Sequence, residues 1–470
     1  MDRAFRVAMA ALPVIVVLMC LVLAQTFPGY FSNQRYLAGM IFGLILLVCL
    51  WRYDRLFFPF LMVAFLWAGT NVPMTEPWTT ARWVVLGAGA LVGFVQATRV
   101  GGLRYHQFHL AAALCVISAV ISAMVSGSPQ FSLLKALSLF LLFLFGSAGA
   151  RLVFRSPDHF LRGLLLACEL SVYVSLLCYM VLGLELWGNR NSLGAVEGVI
   201  AAPLLFWGAL AAVEKKMRVR YAIACAGALY LVYFSITRAA MLAAFLSMFA
   251  LLLGLRRNKL LLQGILGIIC VTAVTAIGAP GRFDELRSSV VSGVIYKGHQ
   301  NQGLLGSRLS PWQDTVRVIQ DNPYFGSGFG TSFSEDEAFG EGRRLASTAQ
   351  LREHGSSYLA IAEYVGLIGI LPFALLILLL GHSVFRVFQW LRHTGNPSHY
   401  SVPMMMVVSA GLVHAGFEDW LFAVGYYMTV LFWTLAFLLA DVVLQPEVFQ
   451  STFLHGMRFR FLNGATAARP

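Results

Sequence analysis

The sequence is poor in charge. Only 12% of its 470 residues are Asp, Glu, Lys or Arg, while 59% are hydrophobic and mean hydropathy is +0.74. Soluble domains carry about 25% charged residues, so a water-soluble globular chain is excluded. Acids are scarcer than bases, 22 against 34, which gives a net charge of +12 and a pI near 9.5. No nucleic-acid-binding module accompanies that excess, and on a membrane protein basic residues mark the cytoplasmic loops. The chain has no Walker A, HExxH or GxSxG pattern, which removes the sequence basis for P-loop, zincin or α/β-hydrolase chemistry. The seven cysteines (Cys20, Cys49, Cys115, Cys168, Cys178, Cys225, Cys270) all fall in apolar stretches. Neither a disulfide nor a cysteine-bound metal is expected.

What is present is a series of apolar runs, each bounded by charge, Pro or Gly. Candidate spans lie at 7–27, 37–51, 57–70, 83–97, 109–125, 133–150, 161–183, 193–213, 219–236, 239–255, 260–279, 357–381, 402–416 and 421–443. The expected fold is an all-α polytopic membrane protein with about 12–14 transmembrane helices. Its N-terminus resembles a signal peptide, but the long apolar run and absent cleavage site point to an uncleaved first span. The expected domains are a first transmembrane part over 1–279, a long loop over 280–356, a second transmembrane part over 357–443 and a tail over 444–470. Alternating the spans from a cytoplasmic N-terminus puts 21 of the 34 Lys and Arg in inner loops, five in short outer segments (Arg35, Arg82, Lys135, Arg190, Arg238) and eight in the long loop. That bias places both termini in the cytoplasm and the long loop in the periplasm, in a bacterial inner membrane. ATP and nucleotide sugars are absent there, so chemistry in the loop needs a donor already activated and delivered by the membrane.

Within the loop, Ser310-Pro311-Trp312-Gln313 has the pattern of a helix start, with Ser at the cap and Pro at the first position. Trp312, Val316 and Ile319 follow at helical spacing and Asp321-Asn322-Pro323 stops the run, so a short amphipathic helix is predicted over 310–321. The glycine-rich stretch Tyr324–Phe333 follows a helix, where a dinucleotide-binding turn follows a strand. Glu335-Asp336-Glu337 is an acidic run whose three adjacent carboxylates do not all converge on one ion. The basic tail is assigned at most a contact with anionic lipid.

Candidate chemistry gathers on the outer side. Arg190, in W187-G-N-R-N-S-L193, and Arg238, in S235-I-T-R-A-A240, sit where short outer loops avoid arginine. A guanidinium at the hydrocarbon boundary needs an anion, and its fork matches phosphate oxygens; the competing partner is a carboxylate such as Glu185 or Glu197. His354 precedes the span that begins near Ser357, where a neutral imidazole could take a proton from an acceptor hydroxyl; the competing role is a structural hydrogen bond. Tyr358 and Glu363 follow on the same helix. H414-A-G-F-E-D-W420 adds an imidazole and two carboxylates, including Glu418, or else is a solvated turn.

The segments G188-N-R-N-S-L-G-A195, T237-R-A-A240, S307-R-L-S-P-W312, D321-N-P-Y-F-G-S-G-F-G330 and H354-G-S-S-Y-L359 with E363-Y-V-G-L-I-G369, in that order around one long loop, resemble the O-antigen ligase and polymerase superfamily. The resemblance implies a GT-C-like membrane glycosyltransferase that is inverting and metal-independent and needs no cofactor. It would move a glycan from undecaprenyl pyrophosphate to an acceptor hydroxyl on a lipid A-core sugar, a growing glycan or a protein. It implies donor pyrophosphate binding by Arg190, Arg238 and Arg308, catalysis by His354, and support from Asn191, Tyr358, Glu363, His414 and Glu418. Family members often carry Asn after the motif histidine, where this chain has Gly355. The acceptor distinguishes a lipid A-core ligase from an O-antigen or exopolysaccharide polymerase. A transporter or flippase is the reading from another class; it would carry ionisable residues deep in several spans and show inverted repeats.

Overall fold

The computed structural model describes residues 33–71, 75–99, 105–260, 306–331 and 353–444, with isolated positions near 18–29 and 262–266. The first expected span, the span over 260–279, the acidic run at 335–337 and the tail lie largely or wholly outside the described residues. Among the described residues there is no strand. The helices are α1 (Gln34–Trp51), α2 (Phe58–Gly69), α3 (Thr75–Arg99), α4 (Gln107–Val125), α5 (Pro129–Val153), α6 (Pro157–Leu182), α7 (Arg190–Ala211), α8 (Lys215–Ser235), α9 (Arg238–Gly254), α10 (Gly306–Asp321), α11 (Ser357–Thr394), α12 (Ser401–Ala415) and α13 (Tyr427–Leu444). Nine described helices are long and apolar enough to cross a membrane, and α9 and α12 are shorter apolar ones. The chain is an all-α polytopic membrane protein.

Lipid as solvent decides which helices lie inside. Helix α13 is buried on every side from Tyr427 to Val442, and α12 nearly so. A helix apolar all round cannot orient itself by amphipathicity, and these two form the centre of the bundle. The outer helices instead leave large side chains uncovered, such as Leu110, Ile117 and Met124 on α4 or Leu371 and Leu378 on α11. In a membrane these face acyl chains at no cost.

Two helices depart from the sequence expectation. Helix α10 begins at Gly306, four residues before the expected start, and Pro311 lies inside it. Pro311 lacks an N–H and, as the sixth residue, lies past the first turn, so the helix forgoes one backbone bond there. Thr315 Oγ1 donates to the Pro311 carbonyl at 2.7 Å. Helix α11 runs to Thr394, beyond the expected end at residue 381, and is broken at Gly366, whose φ of 68° and ψ of −178° are not helical.

Charge inside the bundle gathers at the end opposite His354. Asp441 on α13 accepts from Arg151 on α5 through both oxygens, Nε–Oδ2 and Nη2–Oδ1 each at 2.7 Å. His106 Nε2 lies 2.9 Å from Asp441 Oδ1, and His109 Nε2 lies 3.2 Å from Arg151 Nη2. His106, His109 and Asp441 have a spacing that could hold a metal ion, but the guanidinium already occupies both oxygens of that carboxylate. The cluster is a buried ion pair that ties three helix ends together. Removing one partner of such a pair leaves an uncompensated charge, at a cost of about 3–5 kcal/mol. Asp441→Ala is therefore expected to lower the thermal midpoint of the purified protein in detergent sharply, and Asp441→Leu combined with Arg151→Met to recover most of the loss.

Candidate active site

At the other end the site is built on the break in α11. A helix interrupted at Gly366 leaves the Glu363 and Tyr364 carbonyls and the Leu367 and Ile368 amides without intrahelical partners. The turn after α10 supplies all four. Ser327 N donates to Glu363 O at 2.9 Å and Gly328 N to Tyr364 O at 3.2 Å, while Leu367 N donates to Pro323 O at 2.8 Å and Ile368 N to Tyr324 O at 3.3 Å. Ser122 Oγ on α4 adds a bond to Tyr364 O, and Ser118 Oγ reaches Gly369 O at 2.8 Å. The two backbones touch so closely that a Cβ on Gly366 would lie 2.5 Å from the Tyr324 carbonyl. The glycines of this stretch thus serve backbone-to-backbone contact.

The docked loop and the break fix Glu363 behind His354. His354 is buried. Its Nδ1 lies 2.6 Å from Asp419 Oδ2, and its Nε2 lies 3.3 Å from Glu363 Oε1. The turn carrying Asp419 is pinned by Ser357. The Ser357 Oγ donates to Glu418 O at 2.7 Å and accepts from Trp420 N and Leu421 N, each at 3.0 Å. Arg308 closes the arrangement from α10, donating to Glu353 and Glu418. Trp312 Nε1 donates to Gly355 O at 3.1 Å. Gly355 has a φ of 65° and lies against the Trp312 ring. Glycine accepts this left-handed conformation without strain, a physical reason for Gly355 here.

Burial alone would lower the His354 pKa, but hydrogen bonds and charge from Asp419 and Glu363 outweigh it and hold the ring up at about 9, against an ordinary 6.5. That upward direction favours the protonated ring between Asp419 and Glu363 over the neutral ring of the sequence reading. Asp419 is the member of this chain that reaches open space. It lines a polar cavity of about 590 Å³ with Glu353, Glu418, His414, Asn189, Asn191, Ser192, Tyr426 and Lys135 among the other lining residues.

The expected residues divide accordingly. His354, Glu363, Glu418 and Arg308 come together around Asp419, and Asn191, Glu418 and His414 line the cavity. His414 Nδ1 accepts from Trp420 Nε1 at 2.8 Å. Tyr358 is not in the His354 cluster; its hydroxyl donates to Leu412 O at 2.7 Å, joining α11 to α12. Arg308 has carboxylate partners where a phosphate contact was expected. The Arg190 guanidinium lies 5.4 Å over the Phe234 ring, and its carbonyl accepts from Thr237 Oγ1 at 3.4 Å, beside Asn191. Arg238 begins α9 within electrostatic range of Arg308. Neither Arg190 nor Arg238 is among the residues that line the cavity, although Asn189 and Asn191, on either side of Arg190, are. Glu197, the carboxylate alternative for these arginines, is buried elsewhere and accepts from Ser171 and Ser175. Asp419 is the functional residue that its sequence motif undersold. Its signal was the adjacent pair Glu418-Asp419, of which one carboxylate takes the arginine and the other the histidine.

Fold and site together define a multi-pass membrane protein in which a carboxylate–imidazole chain opens on a cavity at one end of the helix bundle. Residues 223–374 match the family model described as O-antigen ligase. That stretch includes Arg238, Arg308, His354 and the break at Gly366, and the match supports the O-antigen ligase and polymerase superfamily and a glycosyltransferase-like membrane enzyme. No curated protein matches the chain.

A histidine whose folded pKa is raised contributes stability that is complete below its unfolded pKa and is lost as pH rises through its folded value. The protein is therefore expected to keep a constant thermal midpoint up to about pH 6.5 and to lose stability as pH rises through about 9. His354→Gln should remove that dependence, as pH-resolved melting in detergent would show.

Proposed function

We propose that the protein transfers a glycan from undecaprenyl pyrophosphate to an acceptor hydroxyl at the periplasmic face, in the manner of a lipid A-core ligase. The observation that carries this reading is the Glu363–His354–Asp419 chain, whose outer carboxylate lines a sugar-sized polar cavity. Two carboxylates and one imidazolium bear one net negative charge, and the cavity-facing end of that charge is Asp419. The acceptor O–H gives its proton to Asp419 while its oxygen bonds to the anomeric carbon of the donor. The bond from that carbon to the phosphate oxygen breaks, and the diphosphate leaves with the electron pair. His354 holds and polarises Asp419 through its Nδ1–H. A single in-line displacement inverts the anomeric centre and needs no cofactor.

The leaving diphosphate gathers negative charge, which Arg190 and Arg238 would offset from beside the cavity, Arg190 standing between the lining residues Asn189 and Asn191. Arg308, already shared by Glu353 and Glu418, keeps the turn of Asp419 in place. The polyprenyl chain has an apolar groove of about 280 Å³ beside α2, α6, α7 and α13, with Trp187 and Tyr427 among its walls. A positioned base of this kind contributes roughly 100- to 10,000-fold in rate.

Asp419→Asn and His354→Ala, each in the native host, are expected to strand full-length polymer on the lipid carrier. A single repeat unit reaching lipid A-core would assign the protein as a polymerase instead, and normal glycans in every fraction would refute catalysis at this site. In vitro, transfer that depends on protonated His354 falls as pH rises above about 9. A rate that climbs up to that pH would return the role of base to His354 itself.

A further inference from the structure

Besides the carboxylates, the wall of the cavity carries one cation, with a second behind the wall at Gly425, and the transfer chemistry above uses neither. Lys135, on α5, lines the same cavity as Asp419. Arg82, on α3, donates from Nη1 to the carbonyl of Gly425, another lining residue, at 2.7 Å. The two like charges lie close enough to act on one another. Among the described residues neither has a carboxylate within ion-pair distance. Lys135 has its ammonium 5.1 Å from the Phe131 ring, and Arg82 has the Phe65 and Trp83 rings at 5.9 and 5.1 Å. Arg82 Nε is buried with no hydrogen-bond partner.

The fold holds Lys135 deliberately in this place. Ser132 Oγ, one turn earlier, donates to Phe329 O at 2.8 Å, and Gly330 lies so close to the Lys135 stem that a Cβ there would come within 2.9 Å of Cγ. The loop that fills the α11 break therefore also braces this lysine. Two uncompensated, partly buried cations side by side at the end of a membrane bundle are costly without an anion. Aromatic faces recover only part of that cost.

We infer that Lys135, backed by Arg82, forms a second anion subsite in the cavity facing Asp419, which takes a phosphate group borne by a substrate. The inference rests on the proposed transfer reaction only for the identity of that substrate. The phosphate belongs either to the diphosphate of the lipid carrier or to a phosphorylated sugar of the acceptor, and both present the same oxyanion to an ammonium.

The test is binding, read without turnover. Purified full-length protein in detergent is melted with inorganic pyrophosphate, standing for the carrier headgroup, and separately with glucose 6-phosphate, standing for a phosphorylated acceptor. At least one probe is expected to protect the wild type, and Lys135→Gln to weaken its apparent affinity by about tenfold or more. Lys135→Arg should retain it. The probe that protects names the source. Without ligand, Lys135→Gln should melt no lower than the wild type, because it removes an unpaired charge and not a packed core group. Protection equal in Lys135→Gln and wild type, or none from either probe, would overturn the subsite. Neither outcome bears on Asp419 and His354, whose loss is read in the envelope glycans.

Discussion

Backbone hydrogen bonding at the break in α11 is the constraint on which the site depends. In hydrocarbon, each unpaired amide or carbonyl costs several kcal/mol, so a helix is interrupted only where protein fills the gap. Here the filler comes from a distant part of the chain, the turn after α10, and pairs reciprocally with the carbonyls of Glu363 and Tyr364 and the amides of Leu367 and Ile368. One interaction accordingly does three things. It fixes the short first part of α11, from which Glu363 reaches His354; it docks α10, and with it Arg308 and Trp312, over the site; and it sets Gly330 against Lys135. Gly366 and Gly326 admit this contact because each has a positive φ and no Cβ to separate the backbones.

The electrostatics follow from that placement. An imidazole alone in so dry a place would be neutral, because desolvation disfavours its charged form. Two carboxyl groups placed on either side reverse the balance and push its pKa up. Arg308 performs a similar service for Glu353 and Glu418. The site is thus a mosaic of compensated charges in which Asp419, partly exposed, carries the anionic end toward the cavity, while Lys135 on the same cavity wall and Arg82 behind Gly425 have no carboxylate partner among the described residues.

Much of this was legible in the sequence. Long apolar runs bounded by charge mark helices because lipid rewards only that pattern, and the described helices fall on the expected runs. His354, Glu363 and the Glu418-Asp419 pair were visible as polar residues too close to apolar spans to be accidental. Other features were hidden for physical reasons. The break at Gly366 is written as one glycine among several in an apolar run, and its partner loop lies some forty residues upstream. Periodicity reports local pairing, and this pairing is non-local. The start of α10 was misplaced because Pro311 reads as a first-turn residue, while the helix tolerates it a turn later. The Arg151–Asp441 pair escaped notice because each residue sits alone near the end of a span and only the fold puts them in contact.

The two buried charge clusters show how differently the same groups serve in one bundle. At one end of α4, His106 and His109 join Arg151 and Asp441 in a set whose carboxylate has both oxygens bound to a single guanidinium; such a set fixes helix ends. Towards the other end of this nineteen-residue helix, Ser118 and Ser122 bond the Gly369 and Tyr364 carbonyls on either side of the break in α11. There the histidine binds two carboxylates, only one of which reaches the cavity. That asymmetry separates a structural knot from a site able to accept a proton. It arises because the broken helix brings a carboxylate from behind while the pinned 417–421 turn brings another from in front.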